Sequence, residues 1–308
     1  MHIINKKPEY AVSEEMKSIW QVELDLLDQL LAVCQQHHLR VWADGGTLLG
    51  AVRHHGFIPW DDDIDVCMPR EDYDQLIALG NEVFADPYFL QSAYSDVDYH
   101  RGHAQLRNSQ TAAIRPSDSY QPFNQGIFID IFVIDGVPED MQEARELAKW
   151  VRRRLRFLKS KNTAILASGR IGLVFRKWKC RYEVWRKGWH TLYREIEDRL
   201  RSHPFSDCRQ VAEISYSGLD IVFDRHIFDD TVWLDFEDTK IPAPMGYDLL
   251  LRTQYGDYMK PAQAPTNHGD VVFDTKQSYR LVLPKVRADY RRSALRRLWN
   301  KLTKTSRS

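Results

Sequence analysis

The chain has 308 residues, 43% hydrophobic and 28% charged, and its 43 Lys and Arg balance 43 Asp and Glu. That composition excludes a disordered or fibrous chain, and the length suffices for one large domain or two small ones with a substantial core. The four cysteines at 34, 67, 180 and 208 form no CxxC pair, the first ten residues lack an apolar leader core, and no run of about 18 apolar residues occurs, so a reduced cytoplasmic protein without structural zinc is expected.

Taken in chain order, the pattern is α/β. Ser13 followed by two glutamates marks a helix start, and Trp20, Leu24, Leu27, Leu31 and Cys34 recur at steps of three and four to about His38. "LRVWA" predicts a short strand ending at Gly45 and Gly46, and "TLLGAVR" a brief helix leaving them. "DIDVCM", bounded by Pro69, predicts a strand, followed by a helix from about Arg70 to Gly80. Residues 126–135, "GIFIDIFVID", are too rich in β-branched and aromatic side chains for a good helix and predict a second long strand closed by Gly136 and Pro138. Residues 140–200 read as helical, and the C-terminal third mixes short strands with a helix near "YDLLLRTQYGDYM". Neither a repeat nor a linker is visible, so one domain over 1–285 with a helical insertion at about 140–200 and a basic tail at 286–308 is expected.

The neutral total hides an uneven distribution of charge. From Lys149 to Trp189 fourteen Lys and Arg accompany one acid, Glu183, interleaved with Trp150, Phe157, Phe175, Trp178, Tyr182, Trp185 and Trp189. The last two dozen residues carry nine Lys and Arg against Asp289 alone. Such a mixture suits a membrane surface or an anionic polymer; a solvated helical hairpin is the plainer alternative. The neutral overall charge and the lack of any RNA or DNA module signature argue against nucleic acid.

The densest signal is "PWDDDIDV". If Asp61 to Met68 is extended, Asp61, Asp63 and Asp65 share one face while Asp62, Ile64, Val66 and Met68 share the other. Three carboxylates on one face repel one another unless a cation lies between them, and an all-oxygen set without His or Cys favours Mg²⁺ or Mn²⁺ over zinc. Asp130, set among Phe128, Ile129, Ile131 and Phe132, also needs a partner, which the same ion would supply. Upstream, Gly45 and Gly46 between strand and helix leave room for backbone N–H groups to approach phosphate oxygens, with Thr47 adding a hydroxyl and Arg53 following on the helix. A phosphate-binding turn, a metal-binding strand and a carboxylate on a second strand are the equipment of phosphoryl transfer assisted by two metals. His54, His55 and His268 remain open between loop residues and nucleotide contacts.

The run "WADGGTLLGAVRHHGFIPWDDDIDVCMPREDYDQL" resembles the signature of the LicD family of phosphotransferases, which includes the fukutin and fukutin-related proteins. "GIFIDIFVIDGVP" and "IPAPMGYDLLLRTQYGDYMK" resemble its middle and C-terminal blocks, so the likeness spans roughly residues 20–270. It implies a nucleotidyltransferase-like α/β (α+β) fold related to polymerase β, with Gly45, Gly46, Asp63 and Asp65 in the family's Gly-Gly and D-h-D positions. It also implies transfer of phosphocholine from CDP-choline to a cell-surface glycan or lipid-linked glycan with release of CMP, or transfer of ribitol or glycerol phosphate from the corresponding CDP donor. Under that reading Asp63, Asp65 and Asp130 hold two Mg²⁺ or Mn²⁺ ions. Asp61 orients or deprotonates the acceptor hydroxyl or is a further ligand, and Trp60 or Trp42 offers a ring face to choline. Two departures stand out: Val133 replaces a common proline, and Gln105 in "HAQLRNSQT" replaces an expected lysine.

Rival readings differ in product or in spacing. A calcium loop beginning at Asp61 fails because Val66 holds the glycine position and Asp72 the bidentate glutamate. A D-x-D glycosyltransferase would release UDP, a nucleotidyltransferase would release pyrophosphate, and a basic membrane-surface scaffold would not need Asp63.

Overall fold

The computed structural model describes residues 11–96, 98–162, 171–260 and 270–305. Helix α1 (Glu14–Gln36) starts where the Ser13 hydroxyl accepts the Met16 N–H, and its inward stripe buries Ile19, Trp20, Leu24, Leu27, Leu30 and Cys34. Strand β1 (Trp42–Ala43) leads into helix α2 (Gly45–His54), then β2 (Asp65–Pro69) and helix α3 (Arg70–Leu79), which ends at Gly80 with φ 62°. Next come β3 (Tyr88–Gln91), β4 (Ala104–Asn108), β5 (Ala112–Ile114) and the long β6 (Ile127–Val137). Three helices follow, α4 (Met141–Lys159), α5 (Ile171–Lys187) and α6 (Trp189–Arg201). The remainder is β7 (Gln210–Ala212), β8 (Phe223–Asp224), β9 (Thr231–Phe236), β10 (Thr239–Pro244), α7 (Tyr247–Tyr255), β11 (Val272–Asp274) and α8 (Tyr279–Thr305).

The main sheet runs β1-β2-β6-β4-β3, with β2 and β6 parallel and the other pairs along this path antiparallel. Parallel pairing of β2 with β6 is the feature that matters for function, because it sets Asp65 opposite Asp130. The apolar stripe of α1 lies against β4 and β6, and α3 lies against β2 and β6, so the central strands are buried by Ile127, Ile129, Ile131, Val66 and Met68. Helices α4 and α6 form a second apolar cluster around Leu147, Val151, Leu158, Leu192 and Ile196. That cluster shares Val137, Ala212 and Ile214 with the strand ends, so the helical segment is seated on the sheet.

A buried ion pair joins the two parts. Arg70, at the start of α3, donates from Nε to Asp135 Oδ1 at 2.7 Å and from Nη2 to Oδ2 at 3.2 Å, and Glu197 of α6 lies 3.6 Å away.

Most of the elements read from the sequence are present, with three differences. The strand carrying Asp65 begins only there, so Asp61 to Ile64 form an irregular approach to it; the alternation assumed for Asp61 to Met68 does not hold before Asp65. β3, β4 and β5 carry no strong sequence signal, being only three to five residues long, with polar residues interrupting β4. Residues 286–305 of the expected basic tail continue α8, whose first turns bury Tyr279, Leu283 and Val286 against Ala112 and Ile114 of β5; residues 306–308 lie outside the described residues.

Candidate active site

The register of four strands creates a row of polar side chains across the sheet. Asp65 of β2 pairs with Asp130 of β6, Asp130 with Gln105 of β4, and Gln105 with Gln91 of β3. Partners in register point to the same side, so the two aspartates are held as neighbours by backbone pairing alone. The Thr47 hydroxyl accepts the Asp65 N–H at 2.8 Å, and the Asp44 N–H donates to the Asp65 carbonyl at 3.0 Å, tying the glycine turn to the strand.

Asp61, Asp62 and Asp63 each offer a carboxylate oxygen within 4.8 Å of the others. Asp62, assigned to the opposite face by strict alternation, therefore joins this trio, because the approach to β2 is irregular and lets consecutive side chains converge. The backbone of Asp61 is pinned: its N–H donates to Ile58 O at 2.8 Å and its carbonyl accepts the Trp20 indole N–H at 2.8 Å.

Gly45 and Gly46 open α2 directly against these acids. Gly45 has φ +49°, and a Cβ there would lie 3.6 Å from Asp65 Oδ2; a Cβ on Gly46 would lie 2.6 Å from Asp61 Oδ2. The glycines thus serve two needs, a left-handed residue at the turn and an unobstructed approach of carboxylate to helix.

Electrostatics divide the acids into two sets. Burial, then the fields of Asp63, Asp130, Asp44 and Asp61, push Asp65 well above the usual carboxylate range. Glu23 of α1, 1% exposed, is pushed up likewise by burial and then by Asp63, Asp62, Asp61 and Asp130, and its Oε2 has no hydrogen-bond partner. Burial also raises Asp44 and Glu213; the Asp44 charge and then the hydrogen bond between them raise Glu213 further, while that bond pulls Asp44 back.

Asp130 behaves in the opposite way. Burial would raise it, but His103, Arg101 and Gln105 bring it down to about 2. His103 Nε2 stands 2.9 Å from Asp130 Oδ1, and Gln105 Nε2 donates to the same oxygen at 2.6 Å. Behind Gln105, Arg107 donates to Gln105 Oε1, to Gln91 Oε1 and to the Gly126 carbonyl, and its guanidinium covers the Phe128 ring at 4.5 Å. At position 105 a neutral amide, rather than the expected lysine, holds the Asp130 carboxylate, and the Arg107 cation lies two residues along the same strand face.

The donor set fits a hard divalent cation. It contains only oxygen, it includes a compact carboxylate trio, and the carboxylates that raise one another relax when a cation is shared among them. Asp63, Asp65 and Asp130, the residues expected to hold metal, lie in one mutually repelling group together with Asp61, Asp62 and Glu23.

Other expected residues fall around this centre. Thr47 is buried, with its hydroxyl engaged by β2. Arg53 donates to the Tyr258 carbonyl at 3.1 Å and shares its neighbourhood with Tyr255, whose own phenol feels Asp44, Asp65 and Asp61. Trp60 is half-buried and packs on the core. Trp42 is not available to a head group: it is 1% exposed and its indole N–H is spent on Thr231 Oγ1 at 2.8 Å. His54 lies beside the Arg53 guanidinium and His55 caps α2 with φ 58°, while His268 lies outside the described residues.

The sequence reading missed Glu23, His103, Arg107 and Tyr216 as members, and named Gln105 only as a departure from the family pattern. Glu23 interrupts the apolar stripe of α1 and was legible as a buried acid in an oily face. His103, Gln105 and Arg107 alternate along one side of "HAQLRN", a period-two pattern that marks a polar strand face. Tyr216, 60% exposed, with its ring centroid 4.5 Å from that of Phe132 and tilted to it, sits in the field of Asp65, Asp130, Glu213 and Asp63, and no local signal announces it.

A mixed sheet, a glycine turn opening a helix and carboxylates on two parallel strands come together in one α+β domain. Residues 38–161 match the LicD/FKTN/FKRP nucleotidyltransferase domain family. It is 28% identical over 246 residues to the lipopolysaccharide cholinephosphotransferase LicD of Haemophilus influenzae, covering 77% of this chain and 88% of that protein. It is 30% identical over 139 residues to an uncharacterised protein of Rickettsia prowazekii, 45% of this chain and 47% of that one. Over 43 residues it is 44% identical to the human ribitol 5-phosphate transferase FKRP, 14% of this chain and 9% of that protein.

Proposed function

We propose that the protein is a transferase of phosphorus-containing groups that moves a phospho-alcohol, best read as phosphocholine, from a CDP-activated donor to a hydroxyl of a glycan. The observation that carries this reading is the register pairing of Asp65 with Asp130 beside the Asp61, Asp62 and Asp63 trio, with Gly45 and Gly46 turned against the same carboxylates. The likeness to a cholinephosphotransferase over 77% of the chain supports the reaction class and the choice of head group.

Asp61, Asp62, Asp63, Asp65, Asp130 and Glu23 are the residues that would hold one or two Mg²⁺ or Mn²⁺ ions. Such ions, when bound, neutralise the donor diphosphate and the departing CMP. The α2 N-terminus at Gly45 and Gly46 offers backbone N–H groups to phosphate oxygens. His103 and Gln105 fix Asp130, and Arg101 adds positive charge on the same side. The acceptor oxygen forms a bond to the distal phosphorus as the bond from that phosphorus to the CMP oxygen breaks, and a carboxylate of the trio, Asp61 being best placed beside the helix turn, takes the hydroxyl proton. The exposed ring of Tyr216, in the field of the acids, together with half-buried Trp60, offers a π face to a quaternary ammonium. Ribitol phosphate is the second reading for the head group, favoured by the 43-residue likeness to FKRP.

The test incubates purified protein and Mg²⁺ separately with CDP-choline, CDP-ribitol, CDP-glycerol and UDP-sugars. CMP release from one CDP donor, abolished by EDTA and by Asp63→Ala, is expected. UDP or pyrophosphate as the nucleotide product, or CMP release indifferent to EDTA, would overturn the reading.

A further inference from the structure

The helical segment presents a surface that the catalytic reading does not use. On α5, Phe175, Trp178, Tyr182 and Trp185 recur at steps of three, four and three, which places them on one side of the helix. They are 72%, 65%, 58% and 81% exposed, the most extended run of exposed aromatics among the described residues. The opposite side of the helix, marked by buried Cys180 and half-buried Val184, faces the α4 and α6 cluster. Ion pairs fix this orientation: Arg154 of α4 reaches Glu183 of α5 at 3.4 Å and Glu195 of α6 at 2.7 Å, and Lys187 reaches Glu195 at 2.7 Å. The aromatic stripe is therefore held outward by packing and charge on its other side.

Large exposed aromatic patches on a folded chain mark interaction sites. Charge selects among the partners. Exposed Lys179, Arg181 and Arg186 flank the stripe, and the one acid of the helix, Glu183, is spent inward on Arg154. A second copy docking through this face would bring two basic rims together, which opposes self-association. Tryptophan and tyrosine bordered by lysine and arginine match the headgroup layer of an anionic bilayer, where the rings sit at the apolar boundary and the cations meet phosphate. Among the described residues no helix is long and apolar enough to cross a membrane, so this contact would lie on the surface.

We propose that α5 docks the protein on an anionic lipid bilayer through Phe175, Trp178, Tyr182 and Trp185, with Lys179, Arg181 and Arg186 engaging lipid phosphate. The docked helix is coupled to the site. The Tyr193 hydroxyl of α6 donates to the Arg101 carbonyl at 2.6 Å, and the Arg101 side chain acts on Asp130, so α6 connects the docking hairpin to the catalytic sheet. A bilayer under α5 would hold the acid cluster at a set distance from an acceptor anchored in the same membrane.

The test uses the full chain and extruded vesicles of phosphatidylcholine, alone or with about 30% phosphatidylglycerol, since anionic lipid supplies the attraction. Co-sedimentation with the anionic vesicles only, a blue shift of tryptophan emission and release by high salt are expected. Trp178→Glu/Trp185→Glu should lower the partition coefficient about tenfold or more while leaving the thermal midpoint unchanged, because both rings are already in water. Lys179→Gln/Arg181→Gln/Arg186→Gln should remove the dependence on phosphatidylglycerol. Absence of vesicle binding, equal binding by the tryptophan variant, or loss of a dimer rather than of vesicle binding in that variant would overturn the proposal. No readout involves catalysis, so failure here leaves the transferase reading standing.

Discussion

Replacing Gly46 by alanine separates the stability of the glycine turn from its catalytic use. Gly46 lies in α2 without a positive φ, so alanine suits the backbone and by helix propensity alone would stabilise the chain by about 1 kcal/mol. The new methyl, however, would stand 2.6 Å from Asp61 Oδ2, where ordinary contact begins at 3.4 Å, so the carboxylate must retreat by about 0.8 Å. The Asp61 backbone cannot share the movement, being held by Ile58 and Trp20, and the side chain rotates out of the trio instead. A displacement of this size at a reacting centre costs about 100-fold in rate. The expected outcome is an unfolding free energy in urea changed by no more than about 1 kcal/mol, CMP release down about 100-fold, and weaker Mn²⁺ binding by calorimetry. Full activity and unchanged ion affinity in a well-folded Gly46→Ala protein would refute the placement of Asp61 in the catalytic centre.

Three further outcomes follow from the same coordinates. Asp65→Asn removes a buried carboxylate from a repulsive field, so in EDTA it should raise stability by about 1 kcal/mol while abolishing transfer; a lower thermal midpoint without metal would contradict the repulsion. Arg70→Ala strands Asp135 in the core and should cost about 3–5 kcal/mol in urea, whereas Arg70→Met/Asp135→Leu should recover most of it. Burial, with smaller contributions from Lys159 and Arg101, brings His100 down to about 4. Because its unfolded value is higher, at about 6.5, the unfolded chain takes up the proton first, and stability is lost as pH falls from about 6.5 to 4, by about 3 kcal/mol at most. His100→Gln should flatten the stability profile in that window relative to the parent; parallel profiles would show that the imidazole is not held neutral.

The contrast between Asp65 and Asp62 shows where local pattern stops. Asp65 heads a short apolar strand ending at Pro69, and its place beside the glycine turn was legible from the D-x-D spacing that follows that turn. Asp62 belongs with Asp61 and Asp63 only because the chain is irregular there, a conformation set by the Trp20 indole and by the loop's packing rather than by the residues themselves. Gln105 is similar: the amide is visible in the sequence, but its contacts to Asp130 and Arg107 depend on which side of β4 meets β6.

Local chemistry thus determined the strands and helices that carry the motif, the glycine turn, the all-oxygen make-up of the acid cluster and the amphipathic basic segment, since each depends on neighbours within a few positions. Tertiary structure alone decided the pairing of Asp65 with Asp130, the entry of Glu23 from α1, the withdrawal of Trp42 into the core and the outward face of α5. Those outcomes depend on strand register and helix packing between residues far apart in sequence, and no local periodicity contains that information.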